Sequence, residues 1–321
     1  MPLSPSTRRE FLRGAATVAV GALLLCGFAG QNAMAQESKP KLKIYMIWDM
    51  EGTSGLFLRQ QTWYKEKGVA KETAEEGIKL LIADVNSAVA AALKAGADRV
   101  IVCDVHGGGG NIRLDEMLAD PRVTYHPKER GIVDGKRQWL PGLDATVTGL
   151  MLMGHHAKAG TEHAFLPHTC NGDWADLRIN GESVGEIGFE GCYAGHFGVP
   201  VILVHGDEAM CKEVEGQFPG AVRACVKRAE SFDRCTGPDA AAAHNLTAEK
   251  VAEAIQKLRT AKPVPYKPTL PMRVALRLKT EARADAIAKK PGAERIDAFT
   301  VQCEVPRQGD VIKWLTGDGL Q

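Results

Sequence analysis

Apolar runs of strand length alternate along this chain with helical patterns, and that alternation restricts the fold more than any other feature. Leu42–Trp48 is the first run. Glu72 to Ala95 reads as a long helix rich in Ala, Leu and Lys, with Gly96 as its stop. Arg99–Cys103 is the next strand, bounded by Asp104 and the glycine run Gly107–Gly110. Thr146–Met153 is a third, broken at Gly154, and Asn180-Gly181 is the dipeptide of a tight hairpin turn. Val184–Phe197 has helical spacing, and Val201–Val204 is a fourth buried strand. Strands that alternate with helices build a mostly parallel sheet covered on both faces, so a three-layer α/β domain is expected.

Beyond about Pro219-Gly220 the texture changes. The segment KPVPYKPTLP (Lys262–Pro271) is a proline-rich connector that cannot continue a helix. Met272–Leu278 and Ala298–Val305 alternate like half-exposed strands, with a helical segment between them. The expected organisation is an α/β domain over 36–218 and a smaller α+β domain over 219–321.

Residues 1–35 read differently. Arg8 and Arg9 precede Phe11-Leu12, an apolar run and the small residues Ala33–Ala35. This is the pattern of a twin-arginine signal peptide with its cleavage site, and it predicts export to the periplasm. The run is shorter than the ~20 residues that span a bilayer, and no other stretch could span one, so no stable membrane insertion is expected. A formal net charge of +1 gives no global field for nucleic acid. Of eight cysteines, Cys26 leaves with the signal, and the remaining seven cannot all pair within one chain. Cys225 and Cys235 could form a disulfide, whereas Cys103 and Cys192 read as core packing.

The chemistry stands at the strand ends. The first run ends in Asp49-Met-Glu51, the second in Asp104-Val-His106, the third in Gly154-His155-His156-Ala157. Ligands of open α/β sheets bind outside the carboxyl ends of the strands. Residues two apart in extended chain point the same way, so each pair aims at one space. Carboxylates and imidazoles converging there form the ligand set of zinc or a similar divalent metal, which also relieves the repulsion between Asp49 and Glu51. Each motif alone is an ordinary turn or cap; three at three strand ends are not easily so. Asp104 is either a partner orienting a ligand histidine or a capping residue. His168 follows a short apolar run. Glu182, Glu186 and Glu190 recur at four-residue steps and would share one helical face. Glycines beside Glu186 permit close backbone approach and favour it as the functional member.

The motifs WDMEGTSG, CDVHGGGG, MGHHAKAG, FLPHT and INGESVGEIG, in this order, resemble those of the DppA-type zinc-dependent D-aminopeptidases. The likeness covers nearly the whole chain after the signal and is strongest from Ile44 to Val204. It implies that Asp49, Glu51, His106, His156 and Glu186 hold two zinc ions per chain, and that His168 is the active-site histidine. It also implies hydrolysis of an N-terminal D-amino acid from short peptides by a metal-activated water, in a ring-shaped homo-oligomer. His155 stands where the family usually has tyrosine, and Val105 where a smaller residue is commoner; neither removes a ligand. Two other readings differ in class or substrate. A periplasmic peptide-binding protein would explain the export signal but not five convergent ligands, and a di-metal hydrolase of L-peptides or of another substrate, such as a phosphoester, would share the site.

Overall fold

The structure, a computed structural model, describes residues 41–133 and 135–316. The signal segment read over 1–35 lies outside the described residues. The first half of the fold runs β1 (Lys43–Trp48), α1 (Arg59–Thr62), α2 (Lys71–Lys94), β2 (Arg99–Asp104), β3 (Val123–His126), β4 (Arg130–Val133), β5 (Lys136–Trp139) and β6 (Gly149–His155). A hairpin of β7 (Trp174–Ile179) and β8 (Glu182–Val184) leads into α3 (Glu186–His196), β9 (Val201–Asp207) and α4 (Glu208–Gln217). Then follow β10 (Val222–Ser231), β11 (Arg234–Thr236), α5 (Ala240–Ala261) and β12 (Met272–Leu278). The chain closes with α6 (Glu281–Ala288), β13 (Ala293–Arg295), β14 (Thr300–Val305) and α7 (Asp310–Thr316). Among the described residues, no helix is long and apolar enough to cross a membrane.

Seven strands form the first sheet in the order β11-β10-β9-β6-β1-β2-β3, parallel except for β11. Alternation along β1 fills both of its faces. Ile44, Met46 and Trp48 pack into one core with α2 and α5, while Tyr45 and Ile47 enter a second core with α3 and α4. Helices therefore cover both faces, as expected for an α/β fold of three layers. Each fully buried aliphatic side chain contributes roughly 1.5–3 kcal/mol to this arrangement.

The second sheet is antiparallel, in the order β13-β14-β12-β7-β8. The expected division between 218 and 219 does not separate the two sheets. Strands β10 and β11 and helix α5 lie beyond it yet complete the first sheet, and β7 and β8 lie before it yet pair in the second. The physical reason is a shared core. Val274, Leu276 and Val301 of the second sheet pack in one cluster with Ile187 and Phe189 of α3 and Leu150 and Leu152 of β6. Asn180-Gly181 turns the β7–β8 hairpin as read, with both residues at positive φ. The disulfide joins Cys225 to Cys211, not to Cys235. Its partners come from α4 and the adjacent β10, whereas Cys235 is a free thiol donating to the carbonyl of Leu56. Cys103 and Cys192 are buried free thiols.

Candidate metal centre

Register brings the strand ends level. Trp48 pairs with Asp104 of β2 on one side and Met153 of β6 on the other. The residues just beyond these positions, Asp49, His106 and the His155-His156 pair, thus reach one space from three neighbouring strands. Strand β6 runs two residues further than expected, through Gly154 and His155. The register of β6 against β9 shifts between Leu152 and His155, and this irregularity delivers His156 to the sheet edge.

Close backbone contact holds the three ends together. The Gly52 N–H donates to the carbonyl of Gly154 at 2.6 Å. Gly154 adopts φ +67°, and a Cβ there would collide with the carbonyl of Asp49. Substitution Gly154→Ala therefore adds left-handed strain to overpacking, and a stability loss of roughly 2–4 kcal/mol is expected in urea unfolding.

Two groups of three ligand-type side chains result, Asp49 with Glu51 and His106, and His156 with His168 and Glu186. Asp49 joins them. Its Oδ1 lies 2.9 Å from His106 Nδ1, and its Oδ2 lies 3.3 Å from His156 Nε2. Glu51 Oε2 is 3.1 Å from His106 Nδ1, and Glu186 Oε1 is 3.3 Å from His156 Nε2. His168 stacks on His156 with ring centroids 4.0 Å apart, and its Nε2 is 3.7 Å from Glu186 Oε1.

The tautomers suit a metal. His156 Nδ1–H donates to the carbonyl of Ala157 at 2.9 Å, which leaves Nε2 with a lone pair. That Nε2 is buried without a hydrogen-bond partner while two carboxylate oxygens face it. An imidazole nitrogen buried opposite two carboxylates calls for positive charge between them, from a proton on the ring or a bound metal ion. The charge balance agrees. Burial alone would raise the carboxyls of Glu51 and Glu186, but neighbouring histidines, His106 for the first and His156 for the second, overcome it; Glu51 is held well below its usual range and Glu186 at about 2. Burial likewise disfavours the charged forms of His106 and His156, and the adjacent carboxylates outweigh it and raise both. The carboxylates thus demand positive charge, which protons meet when no metal is present. Oxygen and nitrogen donors of this kind suit zinc.

Other residues brace the ligands. Asp104 accepts from the backbone N–H groups of Asn111 and Ile112 and from the Asn111 side chain, which in turn donates to the carbonyl of His106. It therefore fixes the loop that bears His106, not the imidazole itself. Glu182 lies in β8 and is exposed, so the expected helical row of three glutamates reduces to Glu186 and Glu190.

Two residues that no sequence motif marks also support the site. Trp63 donates from Nε1 to Glu51 Oε1 at 2.6 Å and sets its edge against His168, with centroids 5.6 Å apart. Lys227, buried on β10, donates to the carbonyls of Glu51 and Leu56 at 2.7 and 2.5 Å. Neither stands in a pattern; both act across more than ten residues of sequence. The centre opens on a cavity of about 640 Å³ walled by Trp63, Trp139, Trp174 and Phe189.

A family model of peptidase M55, described as D-aminopeptidase, matches residues 42–316. A D-aminopeptidase of Bacillus subtilis (strain 168) is 32% identical over 241 residues, spanning 73% of this chain and 82% of that protein. A solved structure, the Zn-dependent D-aminopeptidase DppA from Bacillus subtilis, described as a self-compartmentalizing protease, is similar with a TM-score of 0.73 and 28% identity. That likeness covers 83% of this chain and 93% of the other.

Proposed function

The chain belongs to the D-aminopeptidase family of M55 peptidases, and from that membership we propose that it is a zinc-dependent hydrolase removing N-terminal D-amino acids from short peptides. The observation that carries the reading is the bare Nε2 of His156 opposite the carboxylates of Asp49 and Glu186. Two zinc ions per chain would suit this donor set, with Asp49, Glu51 and His106 able to hold one and Asp49, His156 and Glu186 the other. When bound, such ions supply Lewis acidity and lower the pKa of a coordinated water to near neutrality.

The chain's own groups do the rest. The Nδ1–H of His168 is committed to the carbonyl of Leu166 at 2.9 Å, so its Nε2 is the nitrogen that takes and gives a proton. Stacked on His156 and edged by Trp63, the ring is held in one orientation over the cavity. As water adds to the peptide carbonyl and the C–N bond breaks, His168 delivers the proton that the departing amine needs. Trp63 keeps Glu51 Oε1 occupied and so leaves Oε2 as the ligating oxygen.

A panel of paired D- and L-aminoacyl dipeptides, run with zinc and with chelator, tests this directly. Hydrolysis of the D-members, lost on chelation and restored by zinc, is the expected result. Equal cleavage of both hands would overturn the D-specific reading.

The twin-arginine pattern at Arg8 and Arg9 supports export to the periplasm, where D-alanine-containing wall fragments are the natural peptide substrates. Replacing both arginines by lysine should retain the protein in the cytoplasmic fraction. The self-compartmentalizing relative supports a homo-oligomer, which we read as ring-shaped. Light scattering of the purified protein tests the assembly, and a monomer would sink it.

A further inference from the structure

An aminopeptidase has to tell a free N-terminus from an interior peptide bond. At neutral pH that terminus is largely an ammonium, with a usual pKa of about 8, and a buried cation needs a carboxylate. Six acidic residues line the cavity beside the metal centre: Asp49, Glu51, Glu66, Glu129, Glu186 and Glu190. Five are occupied. Asp49, Glu51 and Glu186 face histidines within the two ligand groups. Glu66 pairs with Arg59 and Glu129 with Arg130. Glu190 makes no ion pair with lysine or arginine among the described residues.

Glu190 is 2% exposed, yet it borders the cavity. Its Oε2 has no hydrogen-bond partner. His155 Nε2 lies 3.1 Å from that oxygen, but at an angle that makes no hydrogen bond, and both ring nitrogens of His155 are also unpartnered. Burial, with Glu186 and Asp49 nearby, holds this carboxyl well above the usual range, and a cation brought beside it favours the carboxylate. Its place on α3 is one helical turn from Glu186, about 6 Å along the axis. Four-residue spacing sets both side chains on the same face. An amine at Glu190 would therefore stand close to a carbonyl held at the metal centre, and these two groups are separated by a single carbon in an N-terminal residue.

We propose that Glu190 is the subsite for the substrate's free α-ammonium group, and hence the residue that makes this centre an aminopeptidase rather than an internal peptidase. The proposal rests on the peptidase reading above. It assigns Glu190 a binding role and no proton transfer.

The test compares the zinc-loaded wild-type protein with Glu190→Gln, which keeps the size of the side chain and removes its charge. Two substrates are used, a D-alanyl dipeptide and its counterpart in which hydrogen replaces the amine. The ratio of their kcat/KM values should fall roughly 10- to 100-fold in the variant, the usual weight of a charge-assisted hydrogen bond. Being a ratio within one preparation, it does not depend on the fraction of protein folded. An equal loss for both substrates, or an unchanged ratio, would overturn the proposal. Calorimetric binding of D-alaninamide against propionamide gives a second readout without turnover. If the wild type cleaves no peptide yet prefers the amine, and Glu190→Gln abolishes that preference, the peptidase reading fails and the ammonium subsite stands. If the variant keeps the preference, the subsite fails whatever the activity.

Discussion

Replacing Asp49 by alanine should empty both halves of the candidate metal centre, with bound zinc falling to near zero and hydrolysis lost. The reason is geometric. One oxygen of this carboxylate faces His106 and the other faces His156, so among the described residues it is the side chain shared by the two ligand contacts. Each ion would lose a ligand at once, and with it the charge that offsets its desolvation. The same truncation at Glu51 removes a ligand from one side only, since its contact is with His106. Zinc analysis of the two purified variants decides the matter. A single retained ion in Asp49→Ala would show that the carboxylate serves one half alone.

His168→Ala has a different signature. Turnover should fall about 10²- to 10⁴-fold, the range for loss of a positioned acid–base group, while zinc content stays at the wild-type level. The side chain stacks on one ligand and lies 3.7 Å from another, near enough to join the second ligand group. Proximity alone therefore leaves two roles, which the metal content separates. If the variant holds one zinc fewer, His168 is a ligand and the proton-carrying role fails. If it retains full activity, the catalytic assignment fails outright.

Much of the parallel sheet, and the convergence of most of the candidate ligands, is legible in the sequence, because both depend on short-range pattern. Strands β1, β2 and β9 announce themselves as apolar runs, and α2 and α3 as helical spacing. Asp49, Glu51, His106 and His156 stand immediately after strands, where topology alone makes them converge. What was not legible depends on distant packing. The second sheet recruits β7 and β8 from mid-chain because β7 lies antiparallel to β12, a pairing that no local periodicity encodes. Cys225 met Cys211 and not Cys235 because α4 packs on β10, again a tertiary fact. Trp63 and Lys227 reach Glu51 across 12 and 176 residues of sequence, and neither sits in a motif. The row Glu182-Glu186-Glu190 loses its first member because the helix starts only at Glu186 and Glu182 lies in β8.

The level register of β1, β2 and β6 has a consequence for how such a centre could be moved or copied. Side chains alternate along a strand, so sliding β1 by one residue against its neighbours would turn Asp49 and Glu51 away from His106 and His156 together. There is no graded misalignment; the ligands meet or they miss. A peptide carrying any one of the motifs therefore inherits no part of the metal affinity, and a graft has to transplant three adjacent strands with their backbone hydrogen bonds intact. The smallest portable unit of this chemistry is a piece of sheet, not a loop.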